Sequence, residues 1–304
     1  MKSFHNDRDV THRFAALLLL LLTSGCNRGI LDPVGPVGSA EKQILINSTA
    51  IMLAIIIPTM IATIAVAFWF RRGNTKATYR PDWEYSGAIE MVVWAIPALT
   101  IMLLGGIAWI GSHDLDPGKP LPSSKAPVHI EVVSMDWKWL FIYPDQHIAT
   151  VNQLVIPAGT PINFRLTSAT VWNVFFVPQM GTQIYTMPRM TTRLNLQADR
   201  IGDFDGLSAH FSGDGFPGMQ FKVHSVPPQQ FAAWAQSAAS RPAGVLDERA
   251  YALLSQPTSY VKPMTYSNVV PGLFDAIATG HSIQPQQLPH SRPAPGIAST
   301  GLGK

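Results

Sequence analysis

The chain has 304 residues, 47% of them hydrophobic and only 13% charged, proportions that point to a membrane portion rather than a wholly soluble protein. Its 22 basic and 19 acidic residues leave a formal charge of +3, scattered and without the basic stripe that nucleic-acid binding needs, so no nucleic-acid partner is expected. A single cysteine, Cys26, excludes an intramolecular disulfide and any site built on several thiolates.

Lys2, Arg8 and Arg13 precede an apolar run over 14–22 that is too short for a bilayer and ends in Thr23-Ser24-Gly25 before Cys26. Residues 1–25 therefore read as a signal peptide. The Ser-Gly-Cys step resembles a bacterial lipobox, with Thr23 where that motif usually has Leu, so Cys26 is the expected lipid attachment. The competing reading of Cys26 is an inert buried thiol. Residues 26–43 follow as a short periplasmic segment.

Residues 44–70 and 91–112 contain no Asp, Glu, Lys, Arg or His, and each reaches the roughly 20 residues that a bilayer core requires. They predict two transmembrane helices, with Pro58 and Pro97 as kinks. The loop over 71–90 carries Arg71, Arg72, Lys76 and Arg80 against Asp82, Glu84 and Glu90. The positive-inside rule places that loop in the cytoplasm, and a linker over 113–127 leads to a periplasmic domain. Glu90 stands at the lip of the second span. It reads either as a favourable helix-start acid or as an ionisable group able to feed protons to a partner.

From Val128 the pattern changes to short apolar and aromatic runs over 128–135, 137–143, 153–156, 162–167, 171–177, 193–197 and 218–224, punctuated by Gly and Pro. They predict an antiparallel β-sandwich within 128–228. The alternation of Trp137, Trp139, Phe141 and Tyr143 puts their rings on one strand face, expected to be core rather than an electron path. Residues 231–235 predict a short helix inside an aromatic-rich, partly helical region over 229–280. The Pro-, Gln-, Ser- and Gly-rich stretch over 281–304 predicts a disordered tail.

Two spans, the Ser-Gly-Cys step and a β-domain containing Val133-Ser134-Met135-Asp136-Trp137-Lys138-Trp139 together resemble subunit II of the cytochrome bo-type ubiquinol oxidases. The resemblance continues through Asn173-Val174-Phe175-Phe176-Val177-Pro178, Gly181-Thr182-Gln183-Ile184-Tyr185 and Asp205-Gly206-Leu207-Ser208. Tyr266-Ser267-Asn268-Val269 and Leu273-Phe274 are similar to that family's aromatic-rich motif. The implied fold is a two-helix transmembrane hairpin carrying an all-β, Greek-key, cupredoxin-like sandwich, followed by a short helical region.

In the related cytochrome c oxidases the equivalent domain holds a binuclear copper centre on histidines, cysteines, a glutamate carbonyl and a methionine. At the matching positions stand Asn173, Ser208, His210, Ser212, Phe216 and Met219, and only Met219 keeps the ligand. Elementary chemistry points the same way. Copper ions sharing an electron need soft bridging thiolates, a blue-copper site needs one, and the sole thiol lies outside the β-domain. His210 and Met219 alone are too few ligands for another site, and His129, His147 and His224 show no ligand spacing. No metal is expected in this chain.

The resemblance implies a non-catalytic subunit of a proton-pumping ubiquinol oxidase in the bacterial inner membrane. The haems, one copper ion and the site that meets ubiquinol would belong to subunit I, with subunits III and IV and membrane lipids as further partners. Glu90 matches the subunit II acid assigned to proton entry in the wider superfamily. Two readings compete: a stand-alone membrane lipoprotein or assembly factor with a decayed cupredoxin domain, and a copper-bearing cytochrome c oxidase subunit II. Co-purification of a haem-containing, quinol-oxidising complex excludes the former, and the cysteine count opposes the latter.

Overall fold

The computed structural model describes residues 29–78, 80–241 and 244–280. The expected signal peptide over 1–25, the expected lipid-attachment site Cys26 and the expected disordered tail over 281–304 lie outside the described residues. Two helices, α1 (Pro36–Trp69) and α2 (Gly87–Asp114), are long and apolar enough to cross a membrane. Helix α1 begins eight residues ahead of the charge-free run, because Pro36 occupies its first turn after the extended Gly35, where a missing N–H costs nothing. Its 34 residues make a rod of about 51 Å, against a hydrocarbon core of about 30 Å. Its first two turns therefore stand beyond the core. Within the spans, the Thr59, Thr63 and Thr100 hydroxyls donate to the carbonyls of Ile55, Thr59 and Ile96 at 2.7–2.8 Å, which hides these groups from an apolar surrounding.

The β-domain contains β1 (Val128–Met135), β2 (Lys138–Tyr143), β3 (Ile148–Val151), β4 (Gln153–Pro157), β5 (Ile162–Ser168), β6 (Asn173–Val177), β7 (Gly181–Thr186), β8 (Thr192–Leu196), β9 (Gly202–Ser208) and β10 (Gln220–Val226). There follow α3 (Pro228–Ser240), β11 (Val245–Leu246), α4 (Glu248–Leu254), β12 (Met264–Tyr266), β13 (Asn268–Val269) and α5 (Leu273–Thr279). One sheet runs β12-β3-β2-β1-β5-β8 and the other β4-β10-β9-β6-β7, so the chain passes repeatedly between them in Greek-key fashion. The sandwich is mixed rather than wholly antiparallel: β1 pairs with β5 and β4 with β10 in parallel. Each parallel pair joins strands that are not consecutive in the chain, so no hairpin turn announces it.

Trp139, Phe141 and Tyr143 project into the core between the sheets with Phe164, Phe175 and Phe221, where Phe175 and Phe221 stack at 5.3 Å. Trp137 departs from that row. It adopts φ 63° in the tight turn between β1 and β2, so its ring leaves the strand. The buried Tyr143 hydroxyl donates to the Val155 carbonyl at 3.0 Å and accepts from the Val155 amide at 2.8 Å, tying the two sheets together. Burial raises its pKa.

Strand β2 is buried along its whole length because its second face is also covered. Leu140 and Ile142, with Val133, Met135 and Val151, meet Leu246, Leu254, Val269, Leu273 and Phe274 from the C-terminal region, and β12 adds an edge strand to the same sheet. Buried Lys138 Nζ donates to the Gln256 carbonyl at 2.7 Å, and Asn152 Nδ2 to that of Val261 at 2.8 Å. Desolvation holds the Lys138 ammonium below the usual lysine range, against the opposing charge of Asp136.

Arg165 on β5 bridges Glu131 at 2.8 Å and Asp275 of α5 at 2.6 Å, with its guanidinium 4.7 Å from the Phe274 ring centre. Burial raises the Glu131 carboxyl above its ordinary pKa of 4.5, the Arg165 charge opposing and Asp275 reinforcing the shift. The folded chain therefore binds this proton more tightly than the unfolded chain. The stability it contributes is complete below pH 4.5 and is lost as pH rises through the raised value. The melting temperature of the wild-type chain in detergent, relative to Glu131→Gln, is expected to fall as pH rises across that window. A difference that stays flat contradicts it.

Candidate functional site

Residues Asn173, Ser208, His210, Ser212, Phe216 and Met219, distant in sequence, meet at one end of the second sheet. Asn173 opens β6, Ser208 closes β9, and Met219 leads into β10. The register pairs Phe175 with Ser208 and Leu207 with Gln220, so three adjacent strands deliver these positions to one loop. That loop, over 209–219, contains a single 3-10 turn, Phe216–Gly218.

The polar groups there satisfy one another. Ser208 Oγ lies 3.1 Å from Asn173 Oδ1 and 3.2 Å from the His210 carbonyl, and the Ser208 amide donates to the Met219 carbonyl at 3.2 Å. The Asn173 carbonyl accepts from Thr186 Oγ1 at 3.3 Å, and Thr186 Oγ1 lies 2.7 Å from Ser134 Oγ. Ser134, Asn173, Thr186 and Ser208 are all buried, so they form a closed polar chain inside the sandwich. Ser212 Oγ faces the buried Met219 sulfur at 3.9 Å. The His210 ring is exposed and sits edge-on to Tyr185 at 6.0 Å, turned to the surface. Phe216 packs its ring on Phe211 at 5.5 Å.

An amide oxygen, two hydroxyls and one thioether do not make a copper-thiolate site, and these oxygens are already engaged with protein partners. Among the described residues no group of three or more His, Cys, Asp or Glu is placed to hold a metal ion. Of the other histidines, His129 and His224 pair with Asp145 and Asp203 at 3.3 and 2.6 Å, and His147 occupies a turn with φ 56°.

Glu90 lies far from this cluster, in the first turn of α2. It is exposed, and Oε2 accepts from Trp94 Nε1 at 3.3 Å, the one-turn spacing that lets an indole steer a carboxylate.

Two aromatic residues that sequence reasoning did not connect to the loop hold its shape. Trp137 Nε1 donates to the Ser212 carbonyl at 3.0 Å, and its ring covers Gly215 so closely that a Cβ there would overlap it. Tyr260, from the C-terminal region, lies over Gly218. The available signal was the Asp136-Trp137 turn between two strongly apolar strands, where a strained φ is needed.

Removing one hydroxyl tests this closed network. Ser208→Ala strands the buried Asn173 amide oxygen, and is expected to cost about 1–3 kcal/mol in chemical denaturation. A double-mutant cycle with Asn173→Ala is expected to give a coupling of about 0.5–3 kcal/mol. Additive effects contradict a direct bond.

Residues 242–279 match the family model of the COX Aromatic Rich Motif, the layer that covers β2. The cytochrome bo(3) ubiquinol oxidase subunit 2 of Pseudomonas aeruginosa is 46% identical over 271 residues, covering 88% of this chain and 82% of its own. The ubiquinol oxidase subunit 2 of Acetobacter aceti is 43% identical over 290 residues, covering 90% of this chain and 94% of its own. The periplasmic domain of subunit II of the cytochrome oxidase of Bradyrhizobium japonicum aligns with 37% of this chain and 94% of its own length, at 23% identity and a TM-score of 0.36. Identity of this extent across most of both chains makes this chain a member of the ubiquinol oxidase subunit 2 family.

Proposed function

We propose that this chain is the copper-free subunit II of a proton-pumping ubiquinol oxidase, in which it anchors and caps the catalytic subunit without carrying electrons itself. The observation that carries this reading is the closed hydrogen-bond chain at Asn173 and Ser208, which fills the place of metal ligands in a member of a quinol oxidase family. With no redox centre in the β-domain, a water-soluble electron carrier has no relay through it. A lipid-soluble quinol reaches subunit I inside the membrane instead.

Subunit I would hold the haems, one copper ion and the quinol site, with subunits III and IV completing the complex. The two candidate spans support a location in the bacterial inner membrane, and the positive-inside rule favours a cytoplasmic loop over 71–90 and a periplasmic β-domain. Lipidation at Cys26 would add a second, weaker hold to the same bilayer. Glu90, exposed at the inner end of α2 with its oxygen steered by Trp94, serves as the proton-entry acid for subunit I.

Detergent extraction with a tag on this chain is expected to yield a haem-containing complex that oxidises ubiquinol and ignores reduced cytochrome c. Recovery of the chain alone, or turnover with cytochrome c, overturns the reading. In the same complex Glu90→Gln is expected to slow quinol turnover several-fold while haem content stays unchanged. Wild-type turnover in that variant removes Glu90 from the proton path.

A further inference from the structure

We infer that the first two turns of α1 form a rigid strut that fixes the angle of the β-domain to the membrane, with Glu41 as the residue that positions it. This deepens the proposed scaffolding role and rests on α1 crossing the bilayer. Val34 and Val37 belong to the core of the sandwich itself, so the start of a transmembrane helix is packed as domain interior. The backbone follows: Val34 N–H donates to the Gln179 carbonyl at 2.8 Å, Gly38 N–H to that of Met180 at 3.1 Å, and Asp199 N–H to that of Val34 at 2.7 Å.

Glu41, one turn further along, accepts from the Thr182 amide with both oxygens at 2.9 and 3.0 Å and from the Thr182 hydroxyl. The close approach requires Gly181, at φ +105°, where a Cβ would stand 2.7 Å from the Gly38 nitrogen and 3.0 Å from Glu41 Oε2. Asp32 and Arg200 add a two-pronged ion pair at 3.2 and 2.8 Å. The charge-free span begins three residues beyond Glu41.

Between those points there is only unbroken helix, which cannot swivel without breaking its own hydrogen bonds. Helix α2 is joined differently. After it comes a linker held to the sandwich by the Asn195 amide and side chain, both donating to the Pro117 carbonyl at 2.9 and 3.2 Å. Tilting the domain therefore means tilting α1 or tearing Glu41 from Thr182.

Spin labels at Arg71→Cys and Gln236→Cys, on a Cys26→Ser background in the purified membrane complex, measure that angle as a distance distribution. A single narrow peak is expected, broadening in Glu41→Ala and staying near wild type in Glu41→Gln, which keeps an acceptor for the Thr182 amide. Exchange of the Thr182 amide with solvent is expected to quicken about tenfold or more in Glu41→Ala. Should Glu41→Ala fail to accumulate, Gly181→Ala, whose Cβ would stand 2.7 Å from the Gly38 nitrogen, must broaden the peak. Equal widths in all variants overturn the strut. Quinol oxidation by the same preparations reads the proposed function separately: its absence from every sample overturns that function and leaves the strut standing.

Discussion

A helix begins with amide groups that its own carbonyls cannot reach, and in this chain the membrane helix meets that need on another domain. Gly38 donates across to Met180 while Val34 and Val37 enter the sandwich core. The remainder of the architecture depends on this junction. It makes the hairpin between β6 and β7 the seat of α1, and those two strands also carry Asn173 and Thr186 at their far ends. The attachment to the membrane helix and the polar cluster thus occupy opposite ends of one short β-ribbon.

The second constraint is the double burial of the sheet containing β1 and β2. Lys138-Trp139-Leu140-Phe141-Ile142-Tyr143 is nearly continuous in apolar character, the pattern of a strand covered on both faces. One face is the sandwich core, and the other is closed by the segment matching the aromatic-rich motif. That segment is therefore part of the domain. Lys138 and Asn152, reaching its carbonyls from inside the sheet, and Arg165, reaching Asp275, join it by directional bonds as well as by apolar contact.

Much of this was legible in the sequence, and the exceptions have physical causes. The transmembrane spans, β1, β5 and the aromatic row of β2 stand out because burial writes an unmistakable period into the chain. Strands β3, β7 and β9 did not. Gly202-Asp203-Phe204-Asp205-Gly206-Leu207-Ser208 is rich in residues that disfavour strands and is held by its neighbours, while Gly181-Thr182-Gln183-Ile184-Tyr185-Thr186 fully buries only its two ends and carries no apolar alternation. Edge strand β12 pairs with β3 across more than a hundred residues, a separation that no local window reports. At the site, the sequence offered Asn173, Ser208, His210, Ser212, Phe216 and Met219 only through a family resemblance, and the structure brings them to one loop. Their mutual bonding was not legible, because Ser134 and Thr186 lie in apolar surroundings and announce nothing until the strands are assembled.

The residues of this cluster follow a consistent chemical logic. A metal centre holds a loop by strong bonds to a few side chains, and a loop built without those ligands needs other restraints. Here the restraint is divided: a buried polar chain from Ser134 through Asn173 to Ser208 holds the strand ends, while Trp137 and Tyr260 press on glycines of the loop. Each contact is weaker than a metal–thiolate bond, yet their partners come from β1, β6, β7, β9 and the C-terminal layer, so the loop cannot open without disturbing all of them. The opposite end of the same ribbon is held just as firmly, by Val34 and Val37 in the sandwich core and by Glu41 on the Thr182 amide.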